Sequence, residues 1–168
     1  MFSVVFPGQG SQVVGMGKSF YDKYELVKKY FKEADEALNL PLSKIILEGP
    51  KTDLDLTFNT QPAIFLISYS IFNVVKKEFN IDLNKAKFFA GHSLGEYTAL
   101  VCSGSLTIER AAYLLHERGK AMQEAVPVGQ GAMMAVLGLT IKEVEQEISF
   151  LSKENVCEIA NDNSNSQV

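Results

Sequence analysis

The chain is 168 residues long, with 46% hydrophobic and 21% charged side chains and a formal net charge of −4. That length supports one sizeable core, or a large domain and part of another, and the composition is that of an ordinary soluble globular protein. The acidic balance argues against a nucleic-acid partner, because the basic pairs Lys28-Lys29 and Lys76-Lys77 each sit among acids on a helical face.

In chain order, Phe2–Phe6 reads as a buried strand; it lacks a basic leader and breaks at Pro7, so it does not read as a signal peptide. A glycine- and glutamine-rich loop, residues 7–12, follows. Between Lys18 and Leu38 apolar residues recur at Phe20, Tyr24, Val27, Phe31, Ala34 and Leu38, which predicts one amphipathic helix. Residues 41–47 predict a short helix closed by Gly49-Pro50. Thr60-Gln61-Pro62 has the form of a helix start, with Thr60 as cap, and the helix beyond it is apolar nearly all round from Ile64 to Val75. The apolar segment 62–75 is too short to span a bilayer, so a cytoplasmic protein without a membrane partner is expected.

Residues 87–90 predict a second strand, followed by a helix to about Ser103 that stops at Gly104. Thr107 caps a further helix to about Ala125, and Pro127 prevents a longer one. The stretch 127–131 is a Gly/Pro-rich hinge, so a boundary is placed there, between 1–126 and 127–168. Beyond it the pattern predicts a β-α-β unit: strand 132–139, a helix to about Leu151 opened by a Thr140–Glu143 capping box, and strand 156–160. Cys102 and Cys157 are far apart, without metal-like spacing, and read as two reduced thiols; no metal site is expected.

The chemistry centres on Gly91-His92-Ser93-Leu94-Gly95, a G-x-S-x-G between a predicted strand and a predicted helix. That layout is a nucleophile elbow: a strained turn presents Ser93, and backbone N–H groups of the new helix point at the same spot. A serine nucleophile needs a base within hydrogen-bond reach, and neither histidine suits. His92 is adjacent, so its ring points elsewhere, and His116 reads as a surface residue. Arg118 falls between Leu114 and Met122 on the apolar stripe of its helix, where it either meets an anion or snorkels to solvent; the residues leave both open. The loop 8–12 has no phosphate-loop lysine, and its glycines let backbone N–H groups face a ligand at a strand's carboxyl end.

Phe6-Pro7-Gly8-Gln9-Gly10-Ser11-Gln12, Thr60-Gln61-Pro62-Ala63, Gly91–Tyr97, Arg118-Gly119-Lys120 with Met122-Gln123, and Gly131-Ala132-Met133 together resemble one family in order and across nearly the whole chain. It is the malonyl-CoA:acyl-carrier-protein transacylases of bacterial fatty acid synthesis, kin to the acyltransferase domains of polyketide synthases. The resemblance implies an α/β fold, an α/β-hydrolase-like core with the start of an inserted ferredoxin-like subdomain. It implies that Ser93 carries a malonyl ester from malonyl-CoA to the phosphopantetheine thiol of acyl carrier protein, with no bound cofactor. Backbone N–H groups of Gln9 and Leu94 would form the oxyanion hole, and Arg118 would hold the malonyl carboxylate. The family's catalytic histidine lies downstream of these residues in members of about twice this length, monomeric when full length, so these residues alone are expected to be inactive or impaired, and active only with the remaining half present, covalently or as a second chain. Two other readings stay open: a non-catalytic module that binds carrier protein or CoA, and a serine esterase or thioesterase, for which a buried cation has no use.

Overall fold

A computed structural model describes residues 1–127, 129–151 and 156–168. They form two compact units, Met1–Pro127 and Val128–Val168.

The first unit opens with β1 (Ser3–Phe6), whose partner is β2 (Phe88–Gly91); the two run parallel, with Val4 opposite Phe89 and Phe6 opposite Gly91. A parallel pair requires a crossover, and here it is made of five helices: α1 (Lys18–Lys23), α2 (Glu25–Leu38), α3 (Leu42–Glu48), α4 (Lys51–Leu54) and α5 (Thr57–Glu78). After β2 come α6 (Leu94–Cys102) and α7 (Ile108–Ala125). The structure is thus mixed α/β. Helix α5 is the hub, packed on α2, α6 and α7. Its Phe65 and Leu66 are fully buried with Val27 and Phe31 of α2, Leu94 of α6 and Leu115 of α7.

Strand alternation decides which face of the pair meets the helices. Val4, Phe6 and Phe89 pack on Phe72, Ala99 and Cys102, and the rings of Phe6 and Phe89 each lie about one ring-width from Phe72, at 6.1 and 6.0 Å. Val5 and Phe88 point the other way and are 74% and 59% exposed. The expectation of a buried first strand is therefore corrected: only one of its faces is covered.

Two helix expectations also change. The single helix over 18–38 is broken at Tyr24, which is extended and whose N–H closes α1 on the Phe20 carbonyl. The apolar spacing runs straight through the break, so periodicity alone could not reveal it. Helix α5 begins at Thr57 rather than Thr60. The Thr60 hydroxyl donates backward to the Leu54 carbonyl (2.5 Å), and Asn59 Nδ2 donates to the Asp53 carbonyl (2.9 Å). These side chains satisfy the end of α4, an element the sequence reading lacks, instead of capping the start of α5.

In the second unit, α8 (Ile141–Leu151) starts at the expected capping box: Glu143 Oε2 accepts from the Thr140 N–H at 2.7 Å. The two predicted strands do not form. Residues 132–136 and 156–160 carry no ladder, and segment 136–138 pairs instead with 166–168, through Val136–Val168 bonds of 2.9 and 3.1 Å and an antiparallel bridge between Leu137 and Gln167. A strand needs a partner, and among the described residues the apolar Met133, Met134 and Val156 are exposed, with nothing to pair or pack them. No helix among the described residues is long and apolar enough to cross a membrane.

Candidate active site

The elbow is built as its sequence demands. Ser93 has φ 53° and ψ −111°, a strained conformation for a residue with a Cβ. The His92 N–H bonds the Phe6 carbonyl (3.1 Å), which ties the turn to the carboxyl end of β1. Gly95 then passes so close to that strand end that a Cβ would sit 2.5 Å from the Phe6 oxygen and 2.7 Å from the Pro7 oxygen. A Cβ on Gly91 would in turn meet the Gly95 backbone at 1.9 Å. Both glycines are steric requirements of a strand and helix meeting at one serine.

Leu94 is fully buried and is the first residue of α6, so its N–H lies at the helix N-terminus, where donors lack helical acceptors. Gly8 abuts His92, whose Nδ1 would be 2.5 Å from a Cβ at that position. This brings the loop carrying the exposed Gln9 beside the elbow. The His92 ring therefore packs over Gly8.

Arg118 reaches Ser93 from α7. Its Nη2 donates to Ser93 Oγ at 3.0 Å, and its Nη1 donates to Gln61 Oε1 at 2.6 Å. Of the two possibilities that the sequence leaves open, the guanidinium turns inward to the site and does not snorkel away. Gln61 is the residue of this cluster that reading the chain did not single out as a site candidate. It is 1% exposed, on the second turn of α5, and its Nε2 approaches Met122 Sδ at 3.2 Å. The available signal was an amide directly before a proline at the head of an otherwise apolar helix.

A guanidinium only donates, so Arg118 cannot take the serine proton. His116 engages the Phe58 carbonyl through Nδ1 at 2.8 Å, so it is half-buried and partnered rather than a surface histidine. Among the described residues no group of three or more His, Cys, Asp or Glu could hold a metal ion. Cys102, at the far end of α6, is buried, and desolvation pushes its thiol up to about 12, so it is no competing nucleophile. What the arrangement offers is a strained serine, helix N-terminal donors, and a cation held a hydrogen bond away from Oγ.

The chain is similar to known proteins over nearly its whole length. The model of the acyl transferase domain fits residues 3–168. A malonyl CoA-acyl carrier protein transacylase of Bacillus subtilis is 44% identical over 165 residues, 98% of this chain and 51% of that protein. The crystal structure of an acyl-carrier-protein S-malonyltransferase from Bartonella henselae superposes with a TM-score of 0.90 at 44% identity, covering 99% of this chain and 54% of that one. A malonyl-transacylase solved in complex with its type II PKS acyl-carrier protein gives 0.89 at 37% identity, covering 99% and 53%. The chain spans about half the length of the relatives it matches. With its motifs in place around Ser93 and the match extending over nearly every residue, the chain belongs to the acyl transferase domain family.

Proposed function

We propose that these residues form the nucleophile half of a malonyl transferase. In this reading Ser93 Oγ attacks the thioester carbonyl of malonyl-CoA, the C–S bond breaks, and CoA leaves as its thiol with the serine proton. The phosphopantetheine thiol of acyl carrier protein then takes the malonyl group from the serine ester, returning the proton to Ser93. The N–H groups of Leu94 and Gln9 stabilise the oxyanion, a contribution of about 2.7–4 kcal/mol per donor in comparable acyl-transfer sites. The base is a histidine in the portion of the family beyond these residues. Residues 1–126 are the first part of a hydrolase-like core, and 127–168 begin a ferredoxin-like subdomain. CoA thioesters and carrier protein make the cytoplasm the working compartment, with no cofactor bound and a monomer at full length.

The single observation that carries this reading is the Arg118–Ser93 contact of 3.0 Å, with Gln61 holding the other guanidinium nitrogen. In a malonyl-serine ester the free carboxylate lies within roughly 4 Å of the ester oxygen by ordinary bond lengths. Arg118 Nη2 can leave Oγ and donate to that carboxylate with little movement, and a planar guanidinium suits it. An acetyl ester would leave the half-buried cation without its anion, which favours the diacid half-ester. A serine esterase for neutral acyl groups gains nothing from such a cation.

Intact-mass measurement after incubation with malonyl-CoA tests the reading. With the histidine-bearing remainder of the family supplied, covalently or as a second chain, a malonyl adduct on Ser93, absent in Ser93→Ala and much reduced in Arg118→Ala while acetylation persists, is the expected result. Retained binding of carrier protein or CoA without any adduct would favour a non-catalytic module. Equal loss of malonyl and acetyl transfer in Arg118→Ala would sink the carboxylate role.

A further inference from the structure

Helix α5 carries Pro62 in its second turn. In a regular helix the N–H of residue 62 would bond the carbonyl of residue 58; proline has no N–H, and its ring crowds that same carbonyl. Half-buried Phe58 thus loses its helical donor, and a backbone carbonyl partly screened from water is costly to leave without one.

His116 of α7 supplies a replacement. Its Nδ1 lies 2.8 Å from the Phe58 oxygen, and because a carbonyl only accepts, Nδ1 carries the hydrogen in this contact. The imidazole also meets the Phe58 ring edge-on, with centroids 5.6 Å apart and planes at 87°. One turn further along α7, Gly119 lets the two helices touch backbone to backbone: a Cβ there would fall 2.3 Å from Phe58 Cα and 2.6 Å from its nitrogen. The contact point is therefore the residue whose carbonyl the proline orphans.

The two side chains that shape the site flank this point. Gln61 directly precedes Pro62, Arg118 directly precedes Gly119, and they are joined by the 2.6 Å bond. We infer that His116 is a positioning residue for the Arg118 clamp. By bonding the Phe58 carbonyl it holds the proline turn of α5 against α7, so that Gln61 meets Nη1 and Nη2 is left facing the nucleophile. The inference rests on the reading of Arg118 as the malonyl carboxylate partner.

The test uses four variants of the chain: His116→Leu, His116→Asn, Pro62→Ala, and Pro62→Ala with His116→Leu. Leucine removes the donor, asparagine restores an N–H at similar reach, and alanine at 62 gives Phe58 back its helical donor. With the histidine-bearing remainder of the family supplied, covalently or as a second chain, rates of Ser93 malonylation and acetylation are followed by intact mass. His116→Leu is expected to lower the malonyl-to-acetyl rate ratio by about tenfold, the scale of one misplaced charge-assisted bond, with acetylation little changed. His116→Asn should recover most of the ratio, and in the Pro62→Ala background the leucine change should cost little. An equal fall in both rates, or identical losses with and without Pro62, overturns the positioning role. If the unsubstituted chain takes no malonyl group even with the histidine-bearing remainder of the family supplied, the clamp reading fails on its own account. The same variants then judge the contact by denaturant midpoints: non-additive shifts at 62 and 116 uphold the lock, and additive ones overturn it.

Discussion

Replacing Gln61 by leucine keeps the shape of a side chain that is 1% exposed while deleting the acceptor of the Arg118 Nη1 bond at 2.6 Å. A hydrogen bond to a charged group contributes about 1.5–3 kcal/mol, and Arg118 is only half-buried, so water can replace part of the loss. The lower end applies, about 1.5 kcal/mol, or roughly a tenfold loss in malonyl transfer. The same change removes a buried amide whose other contact, Nε2 to Met122 Sδ at 3.2 Å, is weak, so folding stability should move by less than about 1 kcal/mol. The assay pairs the rate of Ser93 malonylation by intact mass with a urea midpoint, and repeats both with acetyl-CoA. Activity falling with stability held, and malonyl falling more than acetyl, is the expected pattern. A loss of the same size for both acyl groups, or one that tracks the urea midpoint, would refute the idea that Gln61 acts through the guanidinium.

Gly119→Ala places a methyl against backbone atoms of Thr57 and Phe58 that cannot swing aside, at 2.3–2.8 Å, so α5 and α7 must separate; a cost on the order of 1–3 kcal/mol is expected in a urea midpoint, and an unchanged midpoint would contradict the close approach. In α8, the Thr140 N–H and then its hydroxyl hold the Glu143 carboxyl below its ordinary value. A depressed folded value means that the cap stabilises the helix above the ordinary glutamate range, about 4.3, and that this stabilisation is lost as pH falls from there through the lower folded value. The protection factor of the Thr140 amide, its exchange rate relative to the intrinsic rate at the same pH, should fall over that descent. In Glu143→Ala the protection factor should be low throughout, and protection surviving in that variant would exclude the cap.

Much of the elbow was legible because its constraints are local. A G-x-S-x-G between an apolar run and a helical pattern can be read without knowing any partner, and the positive φ of Ser93 and the steric need for Gly91 and Gly95 follow from it. Capping is local as well, so Thr107 and the Thr140–Glu143 box stand where they were expected. Strands past residue 131 were misread for the opposite reason. An apolar run states a willingness to pair, and among the described residues 132–136 and 156–160 have no ladder partner. Thr60 was misread because its hydroxyl had a second acceptor, the Leu54 carbonyl, that only the fold brings within reach.

By itself the sequence determined that Ser93 sits on a strained, exposed turn, and that Arg118 falls on the apolar stripe of its helix with its role left open. Tertiary structure decided where that arginine points. Arg118 is 25 residues from Ser93 and 57 from Gln61 along the chain, and the three meet only because Gly119 lets α7 touch the proline turn of α5. A guanidinium's direction is set by the acceptors around it, and those come from distant segments, so no local pattern could contain it.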